Sequence, residues 1–326
     1  MKAIISGGAG FIGSHLAARL LSNPTVERVT VYDNFSSGTW AHLNEVRADE
    51  RLAVVDADIK HLGALTHAMR GHDTVFHLAA NPDIAKAVRF PDVDFWEGTY
   101  LTQNILEAMR LNSVARIFYA SGSGVYGEVP GMQFAEDFGP CFPISTYGAS
   151  KLACEALICS YCHMFGMRGR AFRFANVVGP RQTHGVGYDF IRRLRSDPST
   201  LRILGDGSQR KSYIHVDDVV AAILMVEQTL QQAVAFDVNN VATDDYVTVN
   251  EIADICCEIA GLDRRAVQFV YSGGDRGWKG DVPQVLFDVG KIKRLGWQAR
   301  RSSAEAIRAS VASMHDELMR EAGGAR

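Results

Sequence analysis

Short runs that are apolar on both sides alternate, through the first half of the chain, with longer stretches whose apolar residues recur every three or four positions. The short runs are Ala3-Ile4-Ile5, Arg28–Tyr32, Leu52–Val55, Thr74–Leu78, Arg116–Tyr119 and Arg170–Phe174. Between them lie His15–Leu21, Leu62–Met69 and Thr99–Arg110. A strand that is apolar on both faces needs cover on both, and intervening amphipathic helices supply it. The pattern predicts an α/β fold, a doubly wound parallel sheet of the Rossmann type.

After Phe174 the texture changes to loops rich in Gly, Pro, Arg and Asp. These are broken by the helical stretches Tyr188–Arg195, Asp217–Thr229, Val249–Ala260 and Ala304–Met319, while Ala233–Val238 is strand-like. The expectation is a Rossmann domain over residues 1–175, with returns to the sheet around 213–240. A smaller C-terminal α/β lobe over 176–326 would bind substrate.

Composition narrows the classes. The chain has 326 residues, 47% hydrophobic and 22% charged, with a net charge of −3. That suffices for a sizeable core. It gives no electrostatic drive toward nucleic acid or an anionic membrane, so any bound phosphate must be held by local groups. No run approaches the roughly 20 apolar residues of a membrane span, and the N-terminus does not read as a signal peptide. A cytoplasmic location is expected. Cys159-Ser-Tyr-Cys162 has the C-x-x-C form but no second pair at metal-ligand spacing, so the six cysteines read as buried free thiols and no metal site is expected.

Candidate chemistry begins at Ser6-Gly7-Gly8-Ala9-Gly10-Phe11-Ile12-Gly13, between the first strand and the first helix. This is the context of the dinucleotide fingerprint. Gly7 or Gly8 allows the sharp turn, Gly10 lets the backbone approach a pyrophosphate, Gly13 lets helix and strand pack, and the first amides, those of Phe11 and Ile12, face the anion. Asp33 ends the second strand, followed by Asn34. A carboxylate there suits a ribose diol and repels a 2′-phosphate, which favours NAD over NADP. Asp58-Ile59 after the third strand and Leu78-Ala79-Ala80 after the fourth fall where the adenine, pyrophosphate and ribose would lie.

Tyr147-Gly-Ala-Ser-Lys151 puts a phenol and an ammonium one helical turn apart on the same face. The neighbouring cation favours the phenolate, so Tyr147 can act as general base. Lys151 can also reach the ribose of the nicotinamide half of the cofactor.

With these motifs in view, the chain resembles the extended short-chain dehydrogenase/reductases, in particular nucleotide-sugar 4-epimerases of the UDP-galactose/UDP-glucose type. The resemblance rests on "GGAGFIG", "DNFSSG", "HLAAN", "SGSGVYG", "YGASK", "FRFANVVGPRQ", "GDGSQRKSYIHVDD" and "GDRGWKGDVPQVLFDVGKIKRLGW". It implies that bound NAD⁺ takes a hydride from sugar C4 while Tyr147 takes the hydroxyl proton. The 4-keto sugar then turns over and receives the hydride on its other face. It also implies that Asn176 lies near diphosphate and sugar, Lys211 stands where relatives carry a phosphate-binding arginine, Arg276 adds a phosphate contact, and Asp281 meets the nucleoside ribose. A homodimer built from helices near Thr99–Arg110 and Tyr147–Met164 is implied as well. The alternatives are another epimerase or oxidoreductase of the same family, or a non-catalytic NAD-binding regulatory or scaffold protein.

Two departures stand out. Gly122 occupies the position where the family carries a catalytic Ser or Thr, leaving Ser121 and Ser123 as candidate substitutes, of which Ser123 is preferred. Dehydratases of the family carry an acidic pair, and decarboxylases a glutamate, just before Val-Tyr-Gly; Ser123-Gly124 supplies neither. The second departure is Asp94-Phe-Trp-Glu-Gly-Thr99, where relatives carry asparagines ahead of the Gly-Thr.

Overall fold

A computed structural model describes residues 1–230 and 234–323. Its main sheet has strands β1 (Lys2–Ser6), β2 (Arg28–Asp33), β3 (Leu52–Asp56), β4 (Thr74–His77), β5 (Arg116–Gly122), β6 (Arg168–Phe174) and β7 (Phe236–Val241), in the order β7-β6-β5-β4-β1-β2-β3. The pairs β3–β2, β2–β1, β1–β4 and β4–β5 are parallel in register. Helices α1 (Phe11–Leu21), α2 (Leu62–Ala68), α3 (Tyr100–Asn112), α4 (Thr146–Phe165), α5 (Val186–Ser196), α6 (Val216–Gln228), α7 (Val249–Ile259), α8 (Gly290–Arg294) and α9 (Ser303–Gly323) complete the list of α-helices among the described residues. The doubly wound parallel fold is as the pattern predicts. The strand expected over Ala233–Val238 runs instead over Phe236–Val241; Ala233 lies outside the described residues.

The chain forms two compact units. One comprises residues 1–127, 139–173 and 220–239; the other comprises 128–138, 174–219 and 240–326. In the first, Ile4, Tyr32, Val75, Ile105, Ile117, Cys154, Ile158 and their neighbours form a continuous buried core. The second has its own core, built from Phe190, Ile191, Leu201, Tyr213, Ile252, Ile307 and Val311 among others. Cys154, Cys162, Cys256 and Cys257 are buried thiols, whereas Cys141 and Cys159 are only half-buried, a correction to the reading of all six as buried. No helix among the described residues is long and apolar enough to cross a membrane.

In the order of the main sheet, β1 lies between β4 and β2, so successive crossovers leave it in opposite directions. The carboxyl ends of β1 and β4 form the crevice in which open α/β sheets bind ligands. A buried polar string stitches this point together. The Ser6 hydroxyl at the end of β1 meets His77 Nδ1 at 2.7 Å, and His77 Nε2 meets Thr102 Oγ1 on α3 at 3.0 Å. Thr102 in turn donates to the Gly98 carbonyl at 3.0 Å. His77 is fully buried, and burial, aided by the positive charge of Lys151, pushes its pKa down from 6.5 to about 3.

That depression makes the fold acid-sensitive in a defined window. The unfolded chain binds a proton at His77 below about pH 6.5 while the folded chain excludes it until about pH 3, so stability falls as pH falls through that range. Urea midpoints between pH 7 and pH 4 should drop more steeply in the wild type than in His77→Asn. Parallel slopes would remove His77 as the source.

Candidate active site

The expected cofactor cradle lies at the ends of β1 and β4. Gly7 leaves β1 with φ +73°, and a Cβ at this residue would stand 2.7 Å from the Ala79 nitrogen. Only glycine meets both demands, which settles the choice between Gly7 and Gly8 in favour of Gly7 as the turn residue. Gly10 is the N-cap of α1 and offers no side-chain cap, so the first-turn amides of Phe11, Ile12 and Gly13 are left for an anion. Leu78, Ala79 and Ala80 line the other wall, half-buried.

Asp33 is buried. Its carboxylate accepts from the Ala9 N–H and the Phe35 N–H, each at 2.9 Å. Burial raises its pKa more than these two amides lower it. Asp33 therefore braces the glycine loop. Asn34 donates to Asp58 at 3.1 Å, and Asp58 also accepts from the Lys60 N–H at 2.8 Å. Burial pushes the Asp58 carboxyl up, but these donors outweigh it and hold it below the ordinary range. Ile59, buried at 5% exposure, completes this corner. The structure thus gathers Gly7, Gly10, Phe11, Ile12, Gly13, Asp33, Asn34, Asp58, Ile59, Leu78, Ala79 and Ala80 around the ends of β1 to β4.

The second half of this unit's site lies where α4 packs on the end of β5. Ser145 caps α4, accepting from the Gly148 N–H at 3.1 Å. Glycine at 148 lets the helix touch the turn after β5, because a methyl there would overlap the Gly124 carbonyl oxygen. Tyr147 is half-buried and Lys151 is buried. The Lys151 ammonium donates to the Ala120 carbonyl at 2.7 Å and lies 5.4 Å from the Tyr147 ring centre and 5.0 Å from that of Tyr119. The tyrosine–lysine pair is therefore anchored to the strand end that carries "SGSG".

The three residues of that turn differ sharply. Ser121 is buried and donates to Glu155 Oε1 at 2.5 Å. Gly122 is extended, φ −161° and ψ 169°, and a Cβ there would meet nothing within 4 Å. Ser123 opens a 3₁₀ turn, Ser123–Tyr126, and is half-buried beside Gly124, which abuts Gly148.

Sequence reasoning missed Glu155 and Arg173. Glu155 lies one turn beyond Lys151 on the buried stripe of α4, and Arg173 on β6 grips both of its oxygens, at 3.1 and 2.7 Å. Both side chains are buried, at 5% and 6% exposure. Burial opposes the guanidinium charge, but the carboxylate outweighs it and holds the Arg173 pKa above its ordinary value. The signal was present: an acid one turn after Lys151, at i+8 from Tyr147, on the helix stripe that continues through Ile158 and Cys162.

In the second unit, the residues expected to meet the nucleotide also gather. Lys211 pairs with Asp281, which accepts from the Gly277 N–H at 3.2 Å. Arg276 reaches Glu128 at 3.1 Å and the Asp281 carbonyl at 3.5 Å. Asn176 is exposed and donates to the Ser212 carbonyl at 3.2 Å, adjacent to Lys211.

A fold, a fingerprint and a tyrosine–lysine pair in this arrangement define a dinucleotide-dependent enzyme of the short-chain dehydrogenase/reductase kind. Residues 3–242 match the model of the NAD dependent epimerase/dehydratase family, and the chain belongs to that family. It is 31% identical over 317 residues to a putative UDP-glucose 4-epimerase of Methanocaldococcus jannaschii, covering 94% of this chain and 96% of that one. A crystal structure of a UDP-galactose 4-epimerase superposes with a TM-score of 0.86 at 36% identity, covering 98% of this chain and all of the other. A dTDP-glucose 4,6-dehydratase from Streptomyces venezuelae, solved with NAD bound, superposes with a TM-score of 0.87 at 28% identity, covering 99% and 98%. The cofactor is NAD, and the Gly7–Ala79 approach, the uncapped start of α1 and the placement of Asp33 fit it.

Gly148→Ala tests the helix–turn contact. Overpacking of this kind costs about 1–3 kcal/mol, and here it displaces the turn from Tyr147. Thermal melting should fall by several degrees, in line with that cost, and turnover should fall with it. A variant with wild-type melting and turnover would show that α4 does not depend on the close approach.

Proposed function

We propose that the protein is a nucleotide-sugar 4-epimerase acting on a UDP-sugar. The observation that carries this reading is Tyr147 and Lys151 of α4 packed against the end of β5 and its turn Ser123–Tyr126, where neither position before Val-Tyr-Gly is acidic. Elimination across C5–C6 or decarboxylation needs an acid or base beyond the tyrosine. Simple oxidation and re-reduction at one carbon does not.

Tyr147 takes the proton of the sugar 4-hydroxyl and returns it after the ring has turned over. Lys151, held by the Ala120 carbonyl, supplies positive charge beside the phenol as it ionises. NAD⁺, when bound, supplies a reversible hydride acceptor. Ser123 stands in for the hydroxyl missing at Gly122, because the Ser121 proton is already given to Glu155. In the second unit, Lys211 and Arg276 would exchange their carboxylate partners for the diphosphate, with Asn176 beside it and Asp281 turned to the ribose. The same reading makes the protein a homodimer through α3 and α4, whose far ends leave Leu111, Met164 and Phe165 exposed. Sedimentation at a single-chain mass would refute that part.

Incubation with UDP-, GDP-, CDP- and dTDP-sugars, with C4 stereochemistry followed by NMR, is the primary test. Inversion at C4 of a UDP-sugar is expected. A 4-keto-6-deoxy product, or no turnover of any sugar, would overturn the reading. Protein as purified should release NAD(H) on denaturation, since an epimerase restores its hydride each cycle; NADP(H) as the main species would refute the role of Asp33.

On the substrate so identified, Tyr147→Phe should lower turnover by roughly 10²–10⁴-fold with NAD retained. Ser123→Ala should cost about tenfold to a hundredfold, the loss of a hydrogen bond to a partly charged oxygen, and Ser121→Ala much less. Gly122→Ser should be neutral or faster, because its backbone is ordinary and its side-chain space open. Unchanged turnover in Ser123→Ala would leave Tyr147 as the lone proton-handling group of the turn.

A further inference from the structure

The stretch Asp94–Thr99 is where the sequence departs from its relatives, and in the structure it grips the catalytic helix. Asp94 is 2% exposed. Its Oδ2 accepts from the Thr146 hydroxyl at 2.7 Å, and its main-chain carbonyl accepts from the Ser150 hydroxyl at 2.6 Å. Thr99 meets the same Ser150 hydroxyl at 2.9 Å. Its other oxygen, Oδ1, accepts from Asn81 Nδ2 at 2.9 Å, and Asn81 directly follows the cofactor wall Leu78-Ala79-Ala80.

Thr146 and Ser150 are i and i+4, one turn apart on one face of α4. Tyr147 and Lys151 are also i and i+4, on the face about 100° round the helix. Two grips one turn apart fix both the height of the helix along its axis and its rotation about that axis. Fixing those two coordinates fixes where Tyr147 and Lys151 point.

We propose that Asp94 is a positioning residue: through Thr146 and Ser150 it aims the Tyr147–Lys151 pair, and through Asn81 it ties that aim to the wall of the cofactor site. The proposal rests on Tyr147 being the base. A carboxylate suits this place because all of its side-chain partners here are donors. Both oxygens can accept at once, whereas an asparagine would have to present its amide N–H to one of them.

The test removes the grips without removing the charge. Thr146→Val with Ser150→Ala keeps Asp94 and the helix propensity but deletes both hydroxyls. In the NAD-bearing double variant, turnover of the identified sugar nucleotide should fall roughly 10–100-fold, as expected for two lost hydrogen bonds in the reactive arrangement. KM, NAD content and melting temperature should change little. Thr146→Ser with Ser150→Thr restores the hydroxyls and should restore turnover to within about threefold. Amide hydrogen exchange, which needs no substrate, should quicken in the peptide spanning 146–151 in the double variant alone. Wild-type turnover and exchange in the double variant would overturn the proposal. So would a loss of turnover that merely tracks loss of NAD or of folded protein. Failure of the epimerase reading is separable: wild-type protein that turns over no sugar, or an active Tyr147→Phe, defeats that reading while the exchange result still decides whether Asp94 holds the helix.

Discussion

The buried ion pair between Glu155 and Arg173 is the constraint on which the seating of α4 against β5 and β6 depends. Two charges at about 5% exposure are costly to desolvate, and breaking such a pair by removing one partner costs about 3–5 kcal/mol. The cost is tolerable only because the geometry is complete: two guanidinium contacts, and the Ser121 hydroxyl on the carboxylate as a third. Those contacts join α4, the end of β5 and β6 at one point. With Lys151 on the Ala120 carbonyl one turn earlier, α4 is fastened to two consecutive residues of the strand end. A helix fastened in this way cannot slide without breaking a charged contact.

The same fastening explains why a turn with two serines is not ambiguous in space. Successive strand residues point to opposite faces. Ser121 points at Glu155, so the side-chain direction at Gly122 faces away from that carboxylate, into open space. The following residue enters a 3₁₀ turn that rests on Gly148. A proton already donated to a carboxylate at 2.5 Å is poorly placed to serve a substrate oxygen, and Ser123 carries no such bond among the described residues. One buried acid therefore sets the two serines apart: Ser121 is committed to Glu155, and Ser123 carries the hydroxyl that the proposed reaction can use.

Most of the fold was legible because it rests on period and punctuation. Six apolar runs became six strands of the main sheet, and the fingerprint glycines fell between β1 and α1, since only a glycine-bearing turn allows the backbone approach seen at Gly7 and Ala79. Tyr147 and Lys151 were legible because their spacing is helical. What the sequence hid were partners brought together from distant positions. Glu155 and Arg173 are 18 residues apart on different elements, and Asp94 and Thr146 are 52 apart; no local period marks such pairs. Asp94 was noticed only as part of a departure, and Phe95 and Trp96 next to it are exposed. Glu97 faces Lys60 in a partly exposed ion pair, the kind worth little to stability.

Rigidity of this order is what the proposed reaction, oxidation and re-reduction at one carbon, would require of its base. On the proposed reading Tyr147 would accept a proton from either face-related alcohol and give it back, so its oxygen would have to stand in one place while the substrate changes orientation. A tyrosine on a frayed first turn would not do this, because helix ends open with little free energy. Here the first turn of α4 is held by several contacts. Ser145 caps its amides, Gly148 seats it on the turn, Asp94 holds Thr146 and Ser150, and Lys151 is drawn to the Ala120 carbonyl. Proton transfer depends steeply on donor–acceptor distance, and a base within hydrogen-bond reach must stay there through both half-reactions. The start of a helix is ordinarily its most mobile part, and in α4 these contacts fasten it.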